Sequence, residues 1–225
     1  MKALTATLCA ALALTVTSAN ADFDLQITEM WPGNEPGENL TDDWFEVTNV
    51  GSMPWTIADG ELYFDDDSAD PESADLISGV TSIAPGESVV FVDNGDADTS
   101  EFITVWGAAN LTGVQIGTYQ GSGMSQGGDG ATLFVSNGQP LLDFSNVTAV
   151  ALELYPDANA FGGQSYDVVL GDFSVVGNQS GAFQSVVAND VGQYGIGSPG
   201  TAVPEPTAVL LAGLATVAFA AARRN

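Results

Sequence analysis

Asp43-Trp44-Phe45-Glu46-Val47-Thr48-Asn49-Val50-Gly51 is the stretch that decides the fold. It is rich in aromatic and β-branched residues, which suit a pleated, half-buried strand better than a helix. A period of two puts Phe45 and Val47 on one face and Trp44, Glu46 and Thr48 on the other. Asn49 and Gly51 then close the run with turn chemistry. The expectation is a core strand of an antiparallel sandwich.

The chain on either side repeats the pattern. Phe23 to Ile27 reads as a first strand, with Phe23, Leu25 and Ile27 on one face. Trp55 to Ile57, Gly60 to Phe64 and Ser88 to Asp93 follow, separated by Gly, Asn, Asp and Pro clusters. Phe102, Val105 and Trp106 have helical spacing ahead of Gly107, which predicts one short helix. Val114 to Ile116 is a short strand, and Gly121 to Gly130 is a glycine-rich loop. Ala131–Val135 and Pro140–Phe144 around Asn137-Gly138 read as a hairpin. Strands are then expected at Val147–Leu154, Tyr166–Leu170, Phe173–Val176 and Phe183–Val187. The fold class is all-β with at most one short helix, as a single domain over residues 22–200.

Several of these residues resemble a known family. The Leu25-Gln26-Ile27-Thr28-Glu29 strand, the Asp43–Gly51 strand, the Ile83-Ala84-Pro85-Gly86-Glu87 turn and the closing Ser198-Pro199-Gly200 together resemble a lamin-tail domain. The resemblance implies an immunoglobulin-like β-sandwich. It follows the order of elements over most of 23–200 and is weakest over 145–190.

Both ends read as processing signals. Met1-Lys2, the apolar run Leu4–Val16 and the small residues Ala19 and Ala21 form a secretory signal peptide over residues 1–21, so the mature chain begins at Asp22. The only cysteine, Cys9, lies inside it, which leaves no disulfide or thiol chemistry afterwards. At the other end, Pro204-Glu205-Pro206 precedes the apolar run Thr207–Ala222 and then Arg223-Arg224. As a helix those 16 residues would cover about 24 Å, a short membrane span whose arginines must snorkel. Over residues 201–225 this order resembles the PEP-CTERM sorting signal. The resemblance implies an exosortase as processing partner, a transient anchor in the inner membrane, and delivery to the cell surface or extracellular matrix.

The charge follows from those boundaries. The 225-residue chain carries a formal charge of −26, with 3 basic and 29 acidic residues and no histidine. The basic residues are Lys2, Arg223 and Arg224, whereas every acid lies between Asp22 and Glu205. The mature body therefore has no positive side chain. Such a surface repels phosphate backbones, so nucleic acid is not a partner.

The same absences narrow the chemistry. Without His, Lys, Arg or Cys there is no Ser-His-Asp triad, thiol nucleophile, Schiff base or arginine clamp. A two-carboxylate glycosidase remains chemically open, but no pair stands out, and the expectation is that the protein is not an enzyme. The Gly121–Gly130 loop lacks the lysine and strand-to-helix setting of a phosphate cradle. Two acidic loops offer oxygen ligands for Ca²⁺, which takes six to eight of them. One is Asp93, Asn94, Asp96 and Asp98; the other is Asp65, Asp67 and Asp70, with Asp66 between them. Against both stands a solvated loop in a very acidic chain. Trp31, Trp44, Trp55 and Trp106 are packing residues or stacking platforms for sugars, and Asn39, Asn110, Asn146 and Asn178 begin glycosylation sequons. The sequence points to a secreted structural or interaction module that holds cations and bridges to exopolysaccharide or other surface proteins. The alternative is a carbohydrate-binding module using exposed tryptophans.

Overall fold

A computed structural model describes residues 22–37, 40–93, 99–121, 123–136 and 147–201. Residues 1–21, where a signal peptide is expected, the sorting segment from 202 onward, residues 94–98 and residues 137–146 lie outside them. The elements in order are β1 (Leu25–Trp31), β2 (Trp44–Asn49), β3 (Trp55–Thr56), β4 (Leu62–Asp65), β5 (Asp75–Leu76), β6 (Ser82–Ile83), β7 (Ser88–Asp93), α1 (Ser100–Trp106) and β8 (Gln115–Tyr119). They continue with β9 (Asp129–Ser136), β10 (Val147–Tyr155), β11 (Tyr166–Asp167), β12 (Asp172–Phe173), β13 (Phe183–Ala188) and β14 (Tyr194–Gly197). Among the described residues the architecture is all-β with one short helix.

Two sheets carry the fold. One has the order β12-β11-β1-β2-β7-β8 and the other β10-β9-β4-β5, with β13-β14 and β3-β6 as small ladders. Phe45, Val47, Val89, Phe91 and Tyr119 from the first sheet meet Leu62, Phe64, Leu133, Val135 and Tyr155 from the second in one buried core. Every residue of β2 is buried, so this strand is covered on both faces rather than one. Its second face, with Trp44, packs under α1 in a further core of Trp31, Val90, Val92, Phe102, Val105 and Trp106. β13, paired with β14, lies against α1.

Three departures from the expected pattern have physical reasons. β8 runs parallel to β7, and parallel neighbours need a crossover. The segment holding α1 supplies it and so covers the outer face. A register shift between Ile27 and Glu29 breaks the alternation of β1, and a bulge of this kind re-aims side chains. Thr28 and Glu29 consequently both have partners on the Glu46 side. β9 pairs with β10, Ser136 opposite Val147, and the expected Pro140–Phe144 strand lies outside the described residues. The strands expected at 166–170 and 173–176 shorten to two residues each, with a turn between.

Asn49 explains the closure of β2. Its Nδ2 donates to the carbonyls of Met53 (2.8 Å) and Ile83 (2.9 Å), and its Oδ1 accepts from the amides of Asp24 (3.1 Å) and Gly51 (3.0 Å). Gly51 is required there, since a Cβ would lie 2.5 Å from the Asp22 carbonyl oxygen.

Candidate functional site: three groups of carboxylates

With no positive side chain among the described residues, the chemistry of this body lies in how its acids are held. The first group is buried. Glu29 on β1 stands opposite Glu46 on β2 and Asp167 on β11, so three acids lie in a row across three strands. All three are about 1% exposed. Glu29 Oε1 accepts from the Ser165 hydroxyl and, at 2.8 Å, from the Ser198 amide, while Oε2 accepts from the Ser198 hydroxyl at 2.9 Å. Glu46 Oε1 accepts from Thr28 Oγ1 at 2.6 Å and its Oε2 from the Gly200 amide at 2.6 Å. Asp167 accepts from the Leu170 amide at 3.0 Å. The segment 198–201 thus lies as a strap over this row, and Ser88 Oγ reaches the Thr201 carbonyl at 3.3 Å. Close packing of the strap requires Gly200, whose Cβ would meet Val114 at 2.2 Å.

Burial dominates the protonation of this row. It pushes Glu29 up to about 7, against the lowering effect of its donors, with a further rise from Asp167. Glu46 is raised well above the usual carboxylate range by burial and by the neighbouring Glu29. Glu29 and Glu46 hold protons within a hydrogen-bond network whose oxygens already have partners.

The second group stands at one rim of the sandwich, where β2 begins and β7 and β8 end. Asp43 shares the strand face of Phe45, and Asp93 that of Phe91. The Asp93 amide donates to the Asp43 carbonyl at 2.7 Å, and Asp43 Oδ2 accepts from the Met124 amide at 2.5 Å. Burial pushes Asp43 up to about 7, and Asp93 and Asp42 raise it further. Asp93 is raised to about 6 by burial, then by Asp42 and Asp75, with a hydrogen bond from the Gly121 amide opposing. Of the expected calcium loop only Asp93 is described; Asn94, Asp96 and Asp98 lie outside the described residues.

The third group is on the surface. Carboxylate oxygens of Asp66, Asp67 and Asp129 lie within 4.8 Å of one another, an arrangement that could hold a metal ion. Asp129 had been read only as part of the glycine loop. Asp65, expected among the ligands, turns inward instead: Oδ2 accepts from Ser68 Oγ (2.8 Å) and the Asp70 amide (2.7 Å), and Oδ1 from Ser73 Oγ (3.1 Å). It organises the loop. Asp70 Oδ1 likewise receives the Glu72 amide at 3.0 Å.

The tryptophans correct the sugar-platform expectation. Trp31, Trp44, Trp55 and Trp106 are all at most 1% exposed. Trp31 and Trp44 stack at 6.1 Å, and Trp106 stands edge-on to both at 5.5 and 5.6 Å. They are core, and none offers a face to a glycan.

The sequence shows Glu29, Glu46 and Asp43 as strand residues but not that Glu29 meets Glu46 or that Asp43 lies beside Asp93. For Asp43 the signal was present: it falls on the apolar Phe45–Val47 face, where a carboxylate is out of place. For Glu29 the strict alternation misleads, because the bulge reverses it.

Comparison with known proteins adds one finding. Residues 202–224 match the PEP-CTERM protein-sorting motif. No curated protein and no solved structure matches the chain, and the lamin-tail resemblance finds no match either. The motif marks the chain for secretion and exosortase sorting toward the cell surface.

Proposed function

We propose that the body spanning residues 22–201 is a non-catalytic display module on a lamin-tail-like β-sandwich, carried to the cell surface or extracellular matrix. There its carboxylates are matched by cations from the medium and bridge through them to anionic exopolysaccharide or neighbouring surface proteins. The observation that carries the reading is the sorting motif at residues 202–224, which starts directly after the strap. The two facing sheets support the sandwich, and the absence of His, Lys, Arg and Cys from the mature body supports a role without catalysis. Anionic surfaces meeting through divalent cations is the electrostatic arrangement such a chain favours. The buried tryptophans weigh against the alternative of a sugar-stacking module.

The test is cell fractionation of the full chain beside a variant lacking residues 202–224. The full chain should be found at the surface or in the matrix, released by chelator, and the variant should lose that location. Equal surface retention of the two would refute sorting as the basis of display. Retention unaffected by chelator would refute cation bridging.

A further inference from the structure

The rim where β2, β7 and β8 meet sets a buried phenolic hydroxyl beside two partly buried carboxylates. Cross-strand registers place Trp44 beside Val92 and Val92 beside Thr118, with Asp93 beside Tyr119 one step further. Asp43 and Asp93 therefore flank the end of Tyr119's strand. The Tyr119 ring is locked in the core, 5.5 Å from Phe45 and 4.2 Å from Phe64. Its hydroxyl is buried and has no hydrogen-bond partner among the described residues. The carboxylates acting on that hydroxyl are Asp43, then Asp93, with Asp42 behind them. Tyr155, the other tyrosine nearby, is satisfied, donating to the Ser125 carbonyl at 2.8 Å.

An orphaned buried hydroxyl and two partly buried, mutually repelling carboxylates are each unfavourable. Elsewhere a lysine or arginine would resolve both, but the mature chain has neither. A small hard cation resolves both, drawing in the two carboxylates and the phenolic oxygen and completing its shell with water and carbonyls. We propose that Asp43, Asp93 and the Tyr119 hydroxyl, with Asp42 at the rim, form a divalent cation site of the calcium class. Its donors are all oxygen, which favours Ca²⁺ over metals that seek imidazole or thiolate. The site is independent of what the body displays, and it differs from Asp66, Asp67 and Asp129, which lie on the surface without a buried orphan among them.

The test uses the secreted chain and Tb³⁺ as a luminescent calcium probe, excited through the protein's aromatic residues and displaced by Ca²⁺. Saturable emission is expected, displaced by Ca²⁺ at lower concentration than by Mg²⁺. The joint change Asp43→Asn and Asp93→Asn should weaken binding at least tenfold. Tyr119→Phe should lower the emission, and Asp67→Asn with Asp129→Asn should leave the Ca²⁺-displaceable signal in place. Asp93→Glu, which keeps the charge but moves the oxygens, serves as a second probe should the double variant fail to fold, and it should also weaken binding. No saturable emission, unchanged binding in Asp93→Glu, or loss confined to the Asp67/Asp129 variant would each overturn the proposal.

Discussion

Glu46 and Asp43 belong to the same stretch of chain and face opposite sides of one sheet, yet their surroundings differ. Glu46 and its neighbour Glu29 lie under a strap that brings amides and hydroxyls to their oxygens. Among the described residues Asp43 and Asp93 receive amides from Met124 and Gly121, while the hydroxyl beside them has no partner there. Both groups solve the problem of burying acid without base. One uses donors that the chain itself supplies, and the other, in the proposal above, recruits an ion. Raised carboxyl affinity for protons is thus not by itself the mark of a ligand site; the state of the neighbouring donors is.

The largest break in this comparison should come from Glu29→Ala. It strands the Ser198 amide and hydroxyl in a buried layer, while Ser165 keeps Ser174 and the Ile196 carbonyl, for a loss of about 3 kcal/mol in urea unfolding. Asp43→Ala, which frees only the Met124 amide, should cost about 1 kcal/mol.

Next comes pH. Glu29 binds its proton more tightly folded, at about 7, than at its ordinary 4.5. The native state therefore holds more protons than the unfolded chain between those values, and this contribution to stability falls as pH climbs through them. It is complete below about 4.5 and gone above about 7. Hydrogen exchange at the Ser198 and Gly200 amides should quicken over that window, and Glu29→Gln with Glu46→Gln should flatten the response. A strap equally protected at pH 5 and pH 8 in the unaltered chain would remove the protonated row from the account.

Asp43→Asn sharpens the contrast on the other face. In chelator at pH 8 it should raise stability by about 1 kcal/mol, because it relieves repulsion and avoids burying an ion. In Ca²⁺ the order should reverse. The smallest effect belongs to Asp67→Asn on the surface, visible as a shift in thermal midpoint at low salt and absent at high salt. A salt-independent shift would mean that the Asp66–Asp67–Asp129 group is more than screened charge.

Much of this is legible in the sequence. The β2 alternation, the short helix at Phe102–Trp106, the strands at 88–93 and 131–135 and the closing turn at Asn49 all follow local chemistry, and local chemistry is what a short window of sequence contains. The candidate sites were less legible. Asp65 looked like a ligand and became a loop organiser, because Ser68 and Ser73 curl back to it. Tyr119 carried no signal at all, since an orphaned hydroxyl exists only once the core has closed around it.

The sequence by itself determined the C-terminal sorting motif, the all-β class, and a body of uniformly negative charge with no internal counter-ion. Tertiary structure alone decided which acids meet. Ser198 reaches Glu29 across 169 residues and Gly200 reaches Glu46 across 154, and the bulge at Ile27–Glu29 chooses the face on which they meet. Composition ensures that any carboxylate buried in this body has no basic side chain to pair with. Which donors each one finds depends on long-range closure, which no local period encodes.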